Sequence, residues 1–201
     1  MSEAVPKDGH AVTGEDATRI TEVVGVFGGS FDPPHVAHVM AAAYALSATE
    51  IDRLVVIPTY RHPFAKPLAP YEHRLRMCEL AMADLRRVEV SRIEAELGGD
   101  SWTVRTLEEL RRREPYARLR LVIGSDLLKE APRWHAFDRI SAIAPPLVIG
   151  RAGYPSEQAM RADLPAVSST EIRKRLAEGV PVEGLVPRVV IDYVRAHGLY
   201  R

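Results

Sequence analysis

Two histidines three residues apart, His35 and His38, close the stretch GVFGGSFDPPHVAHV from Gly25 to Val39. If they open a helix, they lie one turn apart on one face at its positive end, where imidazoles can donate hydrogen bonds to phosphate oxygens. Before them, Gly28 and Gly29 are free to take positive φ and leave room for a ligand against the backbone. Ser30 adds a hydroxyl and its own N–H, and Pro33 and Pro34 stiffen the entry to the helix. Two other readings stay open on this stretch alone. One is a solvent-facing pair without a role. The other is a two-histidine metal site, for which no third ligand is apparent. The dinucleotide fingerprint G-x-G-x-x-G and the phosphate loop G-x-x-x-x-G-K-[ST] are both absent, so a nucleotide bound here uses another design.

Two further stretches carry chemistry. SSTEIRKRL places Ser168, Ser169 and Thr170 at the start of a helix, a natural seat for an anion, with Arg173 in the next turn. The same letters have capping-box spacing, and a well-capped helix is the simpler reading of them. In IGSDLLKEAPRWH, Asp126 follows Gly124 at the end of an apolar run. Asp126 either holds a ribose hydroxyl or caps the next helix. Trp134 either stacks on a planar ring or belongs to the core.

These stretches need a scaffold, and the rest of the chain supplies one. Short β-branched runs (TEVVGVF, DRLVVIPT, RVEVSRIE, ARLRLVIG, PPLVIGR) alternate with helical patterns, including YEHRLRMCELAMADL, SWTVRTLEELRRREP with a serine start at Ser101, SDLLKEAPRW with a serine cap candidate at Ser125, and VPRVVIDYVRAHGLY. Strict alternation predicts an α/β fold, a doubly wound parallel sheet with helices on both faces. In such a sheet the three stretches fall at the carboxyl ends of strands, where ligands bind. The 201 residues suffice for one domain, taken as residues 21–201, after a polar segment, residues 1–20, read as a loose tail. Lys+Arg and Asp+Glu both number 27, so the whole molecule exerts no strong pull on nucleic acid or an anionic membrane. The single cysteine, Cys78, excludes an internal disulfide and a cysteine-based zinc cluster and reads as a buried small hydrophobe. The polar N-terminal segment is not expected to be a secretory leader, no apolar run reaches membrane-spanning length, and the chain is expected in the cytoplasm.

Taken together, GVFGGSFDPPHVAH and SSTEIR resemble the two signatures of the nucleotidylyltransferase superfamily, in the right order and at opposite ends of one α/β domain. VVIPT, HRLRMCELA, SWTVRTL, VIGSDLL…PRWH and LVPRVVIDYVRAHGLY resemble one branch, the bacterial nicotinate-nucleotide adenylyltransferases, and the similarity runs from Val23 to Tyr200. The resemblance implies a Rossmann-like nucleotidylyltransferase fold and the joining of nicotinate mononucleotide to ATP. The product is the deaminated NAD precursor, with pyrophosphate released and Mg²⁺ held mainly by substrate phosphates. It also implies roles. His38 and His35 meet the ATP phosphates, and Gly28, Gly29 and Ser30 cradle the mononucleotide phosphate. Ser168, Ser169, Thr170 and Arg173 hold the ATP phosphates, Asp126 reaches the ATP sugar, and Gly124 belongs to the same ATP site. Trp134 stacks on the pyridine ring, with Thr103 and His135 at its substituent. The sequence departs from the pattern at Ala37, where the signature has glycine, and at HPFAK, where Phe64 and Ala65 replace a histidine and a basic residue and Lys66 is left to contact phosphate. Alternatives are a nicotinamide or dual-specificity enzyme, another transferase of the superfamily, or a non-catalytic nucleotide-binding module. A homo-oligomer is compatible with all of these.

Overall fold

The computed structural model describes residues 22–201, so the reading of residues 1–20 as a tail lies outside the described residues. Six strands, β1 (Glu22–Gly29), β2 (Arg53–Pro58), β3 (Val88–Val90), β4 (Ala117–Gly124), β5 (Pro146–Arg151) and β6 (Met160–Leu164), form one sheet in the order β3-β2-β1-β4-β5-β6. Every pairing is parallel. From β1 the chain winds outward to β3, then returns to β4 on the other side. The crevice at the carboxyl ends of β1 and β4 is therefore the topological switch point.

Side chains alternate along each strand, so each face acquires its own core. Val24, Val26, Val55, Ile57, Leu119, Leu121 and Ile123 bury one face beneath α3 (Ile93–Leu97), α4 (Thr103–Arg113) and α5 (Phe137–Ile143). Phe27, Leu54, Val56, Val122 and Ile149 bury the other beneath α1 (Val36–Ala48) and α2 (Tyr71–Met82). The alanines of α1 (Ala41, Ala42 and Ala45) let that helix lie close on the sheet. A third cluster joins α6 (Ser169–Ala177) and α7 (Arg188–Ala196) to α1 and α2 through Ile172, Val190, Ile191, Val194, Ala37 and Met77.

The doubly wound parallel sheet expected from the alternation is present, and Cys78 is buried, its thiol pKa pushed up by desolvation. Local readings differ in four places. Strand β6 and helices α3 and α5 have no clear sequence pattern, being short or interrupted by polar residues. Helix α4 is entered at Trp102, not at a serine cap, because Ser101 Oγ is taken by the N–H groups of Tyr60 and Arg61 at 3.0 and 3.1 Å. No full helix follows Ser125. The segment holds only 3-10 turns at Ser125–Leu127 and Ala131–Arg133, and Ser125 Oγ bonds to Tyr154 O and Arg151 N instead of capping. Gly28 and Gly29 remain extended within β1, and the positive φ falls on Phe31, at 47°.

Candidate active site

The site is assembled from the carboxyl end of β1 outward. His35 is the N-cap of α1 and His38 the third helical residue. Their rings stack with centroids 3.7 Å apart, and His38 Nδ1 accepts the His35 N–H at 3.1 Å. That bond fixes the tautomer of a neutral His38: its proton sits on Nε2. Phe31 packs on the His38 ring at 4.8 Å, and Phe27 lies edge-on to Phe31. His35 is 5% exposed and His38 half-buried, so the solvent-facing reading fails for His35 and the pair is not a freely exposed one. Burial, followed by the nearby Arg151 charge, lowers the His35 pKa to about 4. Burial, then His35 and Arg151, hold His38 well below its ordinary value. Both imidazoles are neutral at pH 7, and His35 Nδ1 is buried without a hydrogen-bond partner.

Arg151, the last residue of β5, does not stand out in the sequence. It pairs with Asp126, bonds to the carbonyl of Val167 just before α6, and donates its backbone N–H to Ser125 Oγ at 3.0 Å. One residue thus ties the turn after β4 to the start of α6, and its Nε is buried without a partner. The only signal available was position: an arginine closing an apolar strand at the sheet's carboxyl edge. Gly124 makes room for this arrangement, because a Cβ there would run into the Asp126 carboxylate. Gly28 is exposed, and a Cβ there would meet nothing.

Helix α6 closes the site from the side. Ser168 caps it, its Oγ accepting the Glu171 N–H at 3.2 Å, while Glu171 turns to Arg175, so only half of a capping box forms. This cap uses the Glu171 N–H, and Ile172 N–H bonds to Ser168 O, which leaves the N–H groups of Ser169 and Thr170 for an anion. Ser169 Oγ donates to Pro33 O at 3.0 Å, and Arg173 donates to Asp32 O at 2.8 Å and to Thr170 Oγ1 at 3.4 Å. The two signature stretches are thereby bonded to each other by contacts 136 and 141 residues apart along the chain.

A second group lies around α4. Thr103 is its first residue, and the Trp102 ring stands 4.9 Å from the His135 ring and 6.3 Å from Phe64. Trp102 is thus an aromatic neighbour of the loop carrying His135 that sequence reasoning missed. Trp134 is half-buried against the core face beneath α3, α4 and α5. Lys66 is exposed beside His62, whose pKa falls through burial and then the Lys66 charge. The two groups are joined by Arg74, 2% exposed, which donates to the carbonyls of Ala69 at 2.8 Å, Ser30 at 2.9 Å and Tyr60 at 3.5 Å. Tyr60 N–H in turn bonds to Glu94, at 2.9 Å, and Glu94 has its pKa raised by burial. Among the described residues no group of three or more His, Cys, Asp or Glu side chains could hold a metal ion.

Known proteins share this architecture. A cytidylyltransferase-like family profile matches residues 26–175, which span every element from β1 through most of α6. A protein of Anaeromyxobacter sp. (strain K), named "Probable nicotinate-nucleotide adenylyltransferase", is 50% identical over 181 residues, covering 89% of this chain and 96% of that protein. A Thermus thermophilus protein of the same name is 41% identical over 184 residues, covering 89% of this chain and 99% of its own. The solved structure of Plasmodium falciparum nicotinic acid mononucleotide adenylyltransferase complexed with NaAD superposes with a TM-score of 0.77 over 89% of this chain and 97% of that one, at 19% identity, a likeness of fold. The chain belongs to the nicotinate-nucleotide adenylyltransferase family of cytidylyltransferase-like proteins.

Proposed function

We propose that this chain transfers the adenylyl group of ATP to nicotinate mononucleotide, forming deamido-NAD and pyrophosphate. The observation that carries this reading is the stacked, neutral His35–His38 pair at the switch point, faced by Arg151 and the start of α6. This is a site rich in donors and poor in bases. In the reaction, an oxygen of the mononucleotide phosphate attacks the α-phosphorus of ATP, and the bond to the bridging oxygen of the departing pyrophosphate breaks. The attacking phosphate is already anionic, so no general base is needed. The protein must bring two anions into line and stabilise charge on the transferring group.

The residues divide accordingly. His38 offers its Nε2–H, and His35 supports it, toward the ATP phosphates. Ser168, Ser169, Thr170 and Arg173 hold the outer phosphates at the head of α6, and Asp126, with Gly124 giving it space, meets the ATP sugar. The open backbone at Gly28, with Gly29 and Ser30, receives the mononucleotide phosphate. Trp134, Thr103 and His135 frame the pyridine ring, with Trp102 as a second aromatic wall, and Lys66 on its exposed loop is a further phosphate contact. Mg²⁺, held mainly by the substrate phosphates when bound, would supply neutralisation of the triphosphate charge. The donor set fits that arrangement, since Asp32, the buried carboxylate of the signature loop, already lies 3.6 Å from Arg173. Residues 21–201 act as one catalytic domain.

The test is direct. Purified protein is mixed with ATP, Mg²⁺ and nicotinate mononucleotide, and pyrophosphate and the dinucleotide are followed. Absence of both products would overturn the reading. A carboxylate only accepts hydrogen bonds, whereas an amide needs an acceptor as well as a donor, so backbone N–H groups near Thr103 and His135 favour the nicotinate substrate. A kcat/KM ratio near one, or one favouring the nicotinamide form, would defeat that preference.

A further inference from the structure

Past the end of α7 the chain turns at Gly198, with φ 61°, and carries Tyr200 back to the signature loop. Tyr200 sits at φ 62°, in the left-handed region that non-glycine residues occupy only when their surroundings hold them there. Its hydroxyl donates to Asp32 Oδ1 at 2.7 Å, across 168 residues of sequence. Burial, then the hydrogen bond to Asp32 and its charge, raise the Tyr200 pKa, which keeps the hydroxyl protonated as the donor. Asp32 is 1% exposed. Its Oδ1 also accepts the Ala69 N–H at 3.2 Å, while Oδ2 has no hydrogen bond at all. The cation nearest Oδ2 is Arg173, at 3.6 Å, and the same Arg173 nitrogen donates to the Asp32 carbonyl oxygen instead, at 2.8 Å. Arg173 is therefore held beside the carboxylate and not upon it.

We infer that Tyr200 is a positioning residue for the reaction: by occupying Asp32 Oδ1 it keeps the Asp32 charge from capturing Arg173, whose guanidinium stays available to the ATP phosphates. The inference rests on the adenylyl-transfer reading. Its physical basis is that a buried carboxylate demands donors. Without the tyrosine hydroxyl, Asp32 keeps only the Ala69 N–H on Oδ1 beside the already unsatisfied Oδ2, and its charge is left with one donor in place of two. The guanidinium need close only from 3.6 Å to an ordinary ion-pair distance of about 2.8 Å to satisfy it. ATP must then compete with a buried carboxylate for Arg173, while the mononucleotide, held on the β1 side, feels nothing.

The experiment uses Tyr200→Phe, which removes one oxygen, with separate titrations of Mg-ATP and nicotinate mononucleotide and a steady-state KM for each. ATP affinity is expected to fall about tenfold, the order of one charge-assisted hydrogen bond, with mononucleotide affinity within about twofold of wild type. In an Asp32→Asn background, where the carboxylate charge is gone, the same Tyr200→Phe change should leave ATP affinity unaltered. This closes a double-mutant cycle that a purely structural tyrosine would not produce. It also keeps the question decidable if the single variant folds poorly. Equal weakening of both substrates, unchanged ATP affinity, or an ATP effect that persists in the Asp32→Asn background would each overturn the inference while the functional reading stands. Wild-type protein that bound neither nucleotide would overturn both.

Discussion

The Nδ1 atom of His38 accepts the backbone N–H of His35 at 3.1 Å, and this one bond decides what His38 can do. A neutral imidazole with Nδ1 so occupied presents a proton, and not a lone pair, at Nε2. Replacing His38 by alanine is expected to lower kcat by roughly 10²–10³, the scale of one preorganised donor to a transition-state oxygen. The KM for ATP should move much less. Near wild-type turnover in a folded variant would remove His38 from the mechanism.

The histidine pair also sets the response to acid. His35 titrates at about 4 in the folded chain, against 6.5 for an unperturbed histidine. Between those values the unfolded state binds the proton and the folded state does not, so stability rises with pH across the window and is lost as pH falls from 6.5 toward 4. At about 1.4 kcal/mol per unit, this group accounts for about 3 kcal/mol of that loss. Urea unfolding at several pH values should show a shallower acid slope for His35→Gln than for wild type. Parallel slopes would count against the buried neutral state.

Arg151 lies close enough to lower the pKa of both histidines. Its replacement by glutamine should move both titrations upward, in the direction of ordinary histidine, as followed by NMR of the imidazole protons. The same change frees Asp126 from its partner. ATP affinity is expected to fall about tenfold, the worth of one charge-assisted hydrogen bond at roughly 1.5 kcal/mol. Unmoved histidine titrations would show that the arginine charge does not reach them.

Two glycine-to-alanine changes should have opposite signatures. At Gly124 the added methyl collides with the Asp126 carboxylate, so the pair with Arg151 must shift; about 1–3 kcal/mol of stability and several-fold in KM for ATP should be lost together. At Gly28 the methyl meets no protein atom, so thermal stability should hold while mononucleotide affinity falls. A Gly28→Ala protein with normal mononucleotide affinity would mean that the open space there is not used.

Period and spacing make much of this molecule legible from its sequence. The alternation of apolar runs and helical stretches specifies the doubly wound sheet. HVAH and SSTEIR specify two helix starts, because turn chemistry and capping act within a few residues. The hidden features depend on distant pairings. Arg151 looks like the polar end of a strand until the fold sets it against Asp126 and Val167. Arg74 looks like a solvated helix residue until the loops carrying Ser30 and Tyr60 close over it. Ser101 and Ser125 read as helix caps locally, yet Ser101 Oγ accepts the N–H groups of Tyr60 and Arg61 and Ser125 Oγ donates to Tyr154 O, and local propensity loses to those distant partners. The left-handed conformation expected of Gly28 or Gly29 is instead carried by Phe31, whose ring packs against both Phe27 and His38.

Arg74 has a consequence of its own. Its guanidinium commits its hydrogen bonds to three carbonyls, those of Ser30, Tyr60 and Ala69. Each segment that opens strips an acceptor from a desolvated cation, so none of the three can breathe without destabilising the contacts of the others. Fluctuations that would admit solvent to either substrate's side of the crevice are thereby locked in step. Amide hydrogen exchange around Ser30, Tyr60 and Ala69 is expected to share one opening free energy, as a single cooperative unit drawn from separated parts of the sequence.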